Sequence, residues 1–349
     1  MAFRFGAIES DEFERQFSRN AGDFMRAVAL IETGKVEIVD RPIPAIGADE
    51  ILVKVTGVGI CGSDLAVFEG HREVPEYPWI MGHEAVGVVA EIGGNVTTRK
   101  VGQKVVLEPN YCCMHCSSCL SGATSGCENR VIIGMTTPGY LAEYVAVPAD
   151  FAWPAPAELS TSELVCLEPS TVGEAALRRS GAKKGESALV VGAGSTGLLL
   201  LILLLEKGIG AYFSEPYKPR ADLAVELGAK IHDEGRQYQY VFETSGSVPG
   251  SESAIHLARP GGTIVLLGLA TEPVKIVPAE IVRGRLTIKG SMIYDHPQDF
   301  FATTSNPPKT LSKIIRGEFA MENAQRAFMA ARDVAGKSWI SVSSEGELA

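Results

Sequence analysis

Residues 187–205 read SALVVGAGSTGLLLLILLL, a short β-rich run, a glycine turn and a Leu-rich helix in direct succession. Gly192, Gly194 and Gly197 form G-x-G-x-x-G, a pattern of little force alone because glycine is common. Here it follows a strand directly and opens a helix, and an acidic residue, Glu215, ends the next strand 21 positions after Gly194. That context predicts a dinucleotide-binding unit. Gly192 permits the tight turn, Gly194 lets the backbone approach a pyrophosphate, and Gly197 lets helix and strand pack closely. Amides near Ser195 and Thr196 point at the phosphates, aided by the helix dipole. A carboxylate at Glu215 accepts hydrogen bonds from an adenosine ribose and repels a 2′-phosphate, which favours NAD over NADP. Tyr217, Lys218 and Arg220 follow at once and offer, as the alternative, a basic pocket for that phosphate. The uncharged run approaches the length of a membrane span, but its glycines divide it, so no span is expected.

Outward from this unit, strands and helices alternate from about Glu168: STVGEAALRRSG as helix, AYFSEP as strand, KPRADLAVELG as helix, YQYVFETSG as strand, SAIHLARPGG as helix and TIVLLGL as strand. Such alternation predicts an α/β fold with a parallel sheet covered on both faces. From Met25 to that point the chain reads instead as short β-strands separated by Gly and Pro. At the other end, KTLSKIIRGEF, ENAQRAFMAARDV and KSWISVS read as helix, helix, strand. Residues 1–24 are charged with little periodicity and read as an N-terminal extension without the apolar core of a secretory signal, so the cytoplasm is the expected location. A length of 349 residues allows about two domains. The net charge of −10 disfavours nucleic acid and anionic lipid as partners.

Five of the seven cysteines, Cys112, Cys113, Cys116, Cys119 and Cys127, are clustered, which suits a metal better than a disulfide framework. Cys113, Cys116, Cys119 and Cys127 have the spacing C-x2-C-x2-C-x7-C, enough thiolates for a closed tetrahedral zinc site that stabilises a loop. Cys112 and His115 are local spares, and an iron–sulfur cluster is the rarer alternative. A second constellation, Cys61 with Ser63 and Asp64, then His83 with Glu84, contains the Cys, His and carboxylate of a catalytic zinc set. Spacing does not show that these groups converge, and a buried Cys or a capping His explains each residue as well.

The order Gly-Ile-Cys-Gly-Ser-Asp, Gly-His-Glu, four-cysteine lobe, Leu-Glu-Pro and Gly-x-Gly-x-x-Gly resembles the zinc-dependent medium-chain dehydrogenase/reductase superfamily, nearest its polyol (sorbitol dehydrogenase-like) branch, from Met25 to about Val342. The resemblance implies a Rossmann-type domain at 168–299 inserted in a β-rich, barrel-like (GroES-like) catalytic domain at 25–167 and 300–349. It implies a catalytic zinc on Cys61 and His83, with Glu84 as third ligand or close neighbour and Glu168 where polyol dehydrogenases carry a carboxylate near the metal. It further implies a structural zinc on Cys113, Cys116, Cys119 and Cys127, Ser63 as the hydroxyl that takes the substrate proton, and cofactor contacts at Thr244 to Gly246 and Leu267 to Leu269. The reaction implied is hydride transfer between an alcohol and a nicotinamide cofactor, with a polyol, sugar or cyclitol as substrate class. A simple alcohol, an amino alcohol such as threonine, or a non-catalytic nucleotide-binding scaffold stand as alternatives. The run PAEIVRGRLTIKG resembles the segment that joins sheets in the family's dimers, so a homodimer or homotetramer is expected. Three features depart from the pattern. Ala66 stands where many members carry a relay histidine, only KIHDEGRQYQ separates the Gly-Ala of the third cofactor-domain segment from VFETSG so that a helix usual in the family is missing, and the chain is shortened after IIRGEF.

Overall fold

A computed structural model describes residues 24–342; apart from Phe24, the expected N-terminal extension lies outside the described residues. A six-stranded sheet, parallel throughout, runs in the order Lys230–Ile231, Gly210–Ser214, Ser187–Val191, Tyr238–Glu243, Ala258–Leu266, Thr287–Gly290. This is the doubly wound order 3-2-1-4-5-6, and it opens a crevice at the carboxyl ends of Ser187–Val191 and Tyr238–Glu243, where the order reverses. The Leu-rich helix Ser195–Glu206 buries every residue from Gly197 to Leu204. It lies between the sheet and the helix Leu167–Ser180, so an apolar surface on all sides is what its position requires. Its 12 residues span about 18 Å, well short of a bilayer. Among the described residues no helix is long and apolar enough to cross a membrane.

The crossover helix is absent, as the short spacing predicts: residues 232–237 carry the chain from one strand to the next without a helical turn. A parallel crossover ordinarily takes a dozen residues or more. Side chains stand in for the missing layer. The Arg236 guanidinium stacks 4.1 Å from the Tyr212 ring centroid and 5.1 Å from that of Tyr238, and it donates to the Tyr212 hydroxyl at 2.7 Å.

The rest is β-rich. A largely antiparallel sheet runs Ala152–Pro154, Lys104–Leu107, Glu84–Ile92, Glu50–Gly59, Lys337–Ser341, Ile315–Ala320, and Tyr144–Pro148 also pairs with Glu50–Gly59. The strand Lys337–Ser341, near the end of the chain, thus lies beside Glu50–Gly59, with Trp339 opposite Gly59. Two expectations are corrected here. KTLSKIIRGEF is a 3-10 turn, Leu311–Ile314, followed by the strand Ile315–Ala320 rather than a helix, because pairing with Lys337–Ser341 satisfies its backbone within the sheet. SAIHLARPGG ends its helix at Leu257, since Ala258 already pairs with Tyr238 and the Pro-Gly-Gly lies within the irregular start of the next strand.

Candidate active site and metal centres

Strand register brings the second constellation together. Gly59 pairs with Glu84 across two antiparallel strands, so Cys61, just past one strand, faces His83 and Glu84 at the start of the other. Their ligand atoms all lie within 4.8 Å of one another. Gly82, at φ +86°, makes the turn into His83. Cys61 caps the helix Gly62–Phe68, and the Asp64 carboxylate orients two members of the set: Oδ2 accepts from the Cys61 amide at 2.9 Å and Oδ1 accepts from His83 Nδ1 at 3.1 Å. That bond fixes His83 with Nε2 turned toward the group, 3.4 Å from the Ser63 hydroxyl. Burial would raise the Asp64 pKa, but His83, the Cys61 amide and Lys337 outweigh it and hold the carboxyl below its ordinary range.

Glu84 is buried, and one of its oxygens forms an ion pair with the ammonium of Lys337, which is fully buried and donates to the Ile60 carbonyl at 3.0 Å. Gly59 makes the room, for a Cβ there would press on the Lys337 stem at 2.8 Å. The other Glu84 oxygen, Oε1, has no hydrogen-bond partner among the described residues. An orphaned carboxylate oxygen is costly inside a protein. Beside a thiol and an imidazole nitrogen it is the donor set a zinc ion satisfies, so the residues fit the metal.

Glu168 is not part of this triangle. It lies in the first turn of Leu167–Ser180, and burial pushes its pKa up to about 7, against the opposing charge of His83 and with the repulsion of Glu84. The Tyr294 hydroxyl lies against it. The Cys166 thiol is buried and pushed up to about 12, as for a packed thiol.

In the cysteine lobe the four sulfurs of Cys113, Cys116, Cys119 and Cys127 lie within 4.8 Å of one another. The Cys113 amide donates to Cys127 Sγ at 3.3 Å and the Cys116 amide to Cys113 Sγ at 3.4 Å, bonds that favour thiolates. Backbone donation at His115 brings Cys113 down to about 6, while burial pushes Cys119 up to about 12. All four become thiolates together only around a cation, and the set fits a closed zinc site. Cys112 stays outside it, against the Met114 sulfur at 3.3 Å.

At the crevice a Cβ on Gly192 would meet the Ser245 backbone at 2.9 Å, and one on Gly197 would collide with the Gly192 carbonyl, so both glycines are needed for packing. Glu215 accepts from the amides of Ala193 (2.7 Å) and Tyr217 (2.8 Å). The Ser195 hydroxyl donates to the Gly336 carbonyl at 2.8 Å, with Thr196 next in the same first turn. Thr244 binds the Gly192 carbonyl at 2.8 Å and thereby holds the turn, while the Leu267 amide bonds Glu243. Arg220 stacks on Tyr217 and donates to the Arg332 carbonyl at 2.6 Å. Two site residues escaped the sequence reading, Lys337 and Tyr294, which are brought in from distant parts of the chain and had no local signal; Asp64 was in the second constellation, and the Cys-x-x-Asp capping box was the signal for its orienting role.

Residues 47–157 match the alcohol dehydrogenase GroES-like domain and residues 204–306 match the zinc-binding dehydrogenase family. D-xylulose reductase A of Aspergillus oryzae is 31% identical over 324 residues, covering 84% of this chain and 90% of that one. The chain is a zinc-dependent medium-chain dehydrogenase/reductase. Solved structures agree with this medium-chain dehydrogenase fold. An alcohol dehydrogenase of Escherichia coli CFT073 complexed with NADH superposes with a TM-score of 0.85 at 25% identity, covering 92% of this chain and 100% of that one. Galactitol-1-phosphate dehydrogenase from Escherichia coli gives 0.84 at 26%, with 91% and 100% covered.

Proposed function

We propose that this dehydrogenase transfers a hydride between the secondary alcohol of a polyol, sugar or cyclitol-like substrate and NAD. The observation that carries this reading is the convergence of Cys61, His83 and Glu84, with the Ser63 hydroxyl beside His83, in a chain that also bears the dinucleotide crevice. Zinc bound there supplies Lewis-acid polarisation of the substrate oxygen, and the nicotinamide supplies the hydride acceptor. Cys61 and His83, with the free Glu84 oxygen beside them, would hold the metal, and Asp64 keeps His83 Nε2 turned toward it. Ser63 takes the substrate proton, and with Ala66 providing no imidazole the proton leaves Ser63 by water. Glu84, paired with Lys337, is committed to holding charge at the site.

Glu215, held beside the glycine turn by the Ala193 amide, supports the ribose of NAD, while one nitrogen of Arg220 is taken by the Arg332 carbonyl. Residues 25–167 and 300–349 form the catalytic unit on this reading, with 168–299 the nucleotide unit. The edge strand Thr287–Gly290 and the neighbouring Val282, 74% exposed, suit pairing between two copies in a homodimer or homotetramer. Seven free thiols suit the reducing cytoplasm. The test is to incubate the zinc-loaded protein with NAD or NADP and a panel of polyols, sugars, cyclitols and simple alcohols, following absorbance at 340 nm. Turnover of a polyol or sugar with NAD is expected. Turnover confined to simple alcohols, or none with any member of the panel, would overturn the reading.

A further inference from the structure

Ile293, immediately before Tyr294, holds φ at +41°, a left-handed conformation that is costly for a β-branched residue and persists only where its surroundings impose it. One guanidinium holds the carbonyls on either side of it. Arg179, in the last turn of Leu167–Ser180, donates through NH1 to the carbonyls of Met292 (3.0 Å) and Ile293 (2.8 Å) and to the Ser291 hydroxyl (3.0 Å). Through NH2 it reaches the Ser125 hydroxyl (3.0 Å) and Asp295 Oδ2 (2.9 Å). Ser125 belongs to the 3-10 turn Thr124–Gly126, which leads directly into Cys127 of the four-sulfur lobe. That turn is tied to the same segment three times more: the Ser125 amide donates to Asp295 Oδ1 at 3.0 Å, the His296 amide to the Thr124 hydroxyl at 2.6 Å and the Thr124 hydroxyl to the His296 carbonyl at 3.3 Å.

Arg179 therefore touches helix, lobe and strained segment at once, beside Arg178, which binds Asp295 at 2.6 Å. The helix carries Glu168 at its other end, and the segment carries the hydroxyl that lies against Glu168. The Tyr294 hydroxyl is itself held from the lobe side, accepting from Asn110 Nδ2 at 3.0 Å. We propose that Arg179 is a positioning residue that transmits the folded state of the cysteine lobe to the candidate active site, by forcing residues 291–295 into the conformation that sets Tyr294 against Glu168. Filling of the lobe thus governs the geometry of the distant carboxylate. The inference rests on the proposed dehydrogenase site only for its effect on turnover, and the linkage between lobe and segment stands without it.

The experiment compares the zinc-loaded full-length protein with Arg179→Met, Arg179→Lys, Cys116→Ser and the combination of Cys116→Ser with Arg179→Lys, by hydrogen exchange with mass spectrometry. Lysine keeps the charge but cannot bridge the carbonyls and Ser125 at once. Each single variant is expected to raise exchange of amides in 291–297 by about tenfold or more while the Gly192–Gly197 loop is unchanged, and Arg179→Lys is expected to add less than twofold to Cys116→Ser, because both break one linkage. Should Arg179→Met fail to fold, Arg179→Lys decides. Unchanged exchange at 291–297 in Arg179→Lys or Cys116→Ser, or effects that multiply in the combination, would overturn the proposal. With an alcohol that turns over, Arg179→Lys is expected to raise KM severalfold in the parent and to leave it unchanged in Tyr294→Phe, a dependence that general loss of stability would not produce. An equal rise in both backgrounds refutes the positioning role. A protein that oxidises no alcohol refutes the proposed function and leaves the exchange result to stand or fall alone.

Discussion

Replacing Lys337 by methionine removes one half of an ion pair whose members are essentially inaccessible to water, at 0% and 1% side-chain exposure. Burial would lower the Lys337 pKa, but Glu84 and Cys61 outweigh it and keep the ammonium charged. Methionine matches the stem in length, so little packing is lost and the cost is mainly that of Glu84 left buried with an uncompensated charge. Breaking a buried pair from one side costs about 3–5 kcal/mol, while removing both charges together is often close to neutral. In chelator-treated protein, Lys337→Met should therefore lose about 3–5 kcal/mol in urea unfolding followed by tryptophan fluorescence. The combination of Glu84→Gln with Lys337→Met should recover at least about half of that, about 2 kcal/mol, and so cost clearly less than the sum of the singles. With zinc restored, the cation stands in for part of the lost ammonium charge and the deficit of Lys337→Met should shrink. A loss below about 1 kcal/mol in the metal-free protein, or a double variant whose cost equals the sum of the singles, would refute the account of Lys337 as the partner that makes Glu84 tolerable.

Asp64→Asn keeps the shape of the group that orients His83 but not its charge, and it should weaken zinc at the Cys61 set by about 10–100-fold, read by competition with a chromogenic chelator. Cys116→Ser should reduce bound zinc from about two to about one per chain by metal analysis, leaving the Cys61 set filled. Burial would raise Asp295, but the Ser125 amide and hydroxyl, Arg179 and Arg178 outweigh it and bring the carboxyl down to about 2. Because the folded value lies below the unfolded one, its stabilisation is complete above about pH 4 and is lost as pH falls toward 2. Melting temperature between pH 5 and 2.5 should accordingly fall less steeply in Asp295→Asn, from a lower starting value. Glu215→Ala should lose about tenfold or more in kcat/KM with NAD while losing less with NADP, measured under initial-rate conditions.

The parallel sheet was legible because its periodicity is local. Strand SALVV, the three glycines and the Leu-rich helix announce one unit within residues 187–205, and Glu215 closes the next strand. The missing crossover was legible by subtraction, since the residues between Ile231 and Tyr238 leave no length for a helix. The four-cysteine lobe was legible for the same reason, as its donors lie within one loop. What local pattern does not contain is pairing at a distance. Cys61 and His83 converge because Gly59 lies opposite Glu84 on the neighbouring antiparallel strand, and Lys337 reaches Glu84 because the strand Lys337–Ser341 inserts beside Glu50–Gly59. The strand Ile315–Ala320 was misread as helix on the same ground: its conformation is imposed by a partner rather than by its own sequence.

Charge accounting at the site explains why those distant residues are needed. On the proposed zinc reading, Cys61 as thiolate and Glu84 as carboxylate would bring two negative charges, which a zinc ion bound with His83 neutral would balance. Asp64 adds a third negative charge to fix His83, and Lys337 is the buried cation that balances it. Neutrality is thus complete before Glu168 is counted, and a further ionised carboxylate in the same buried region would be uncompensated. In the metal-free protein burial raises Glu168 to about 7, against the opposing charge of His83 and with the repulsion of Glu84, in the same direction as this charge count.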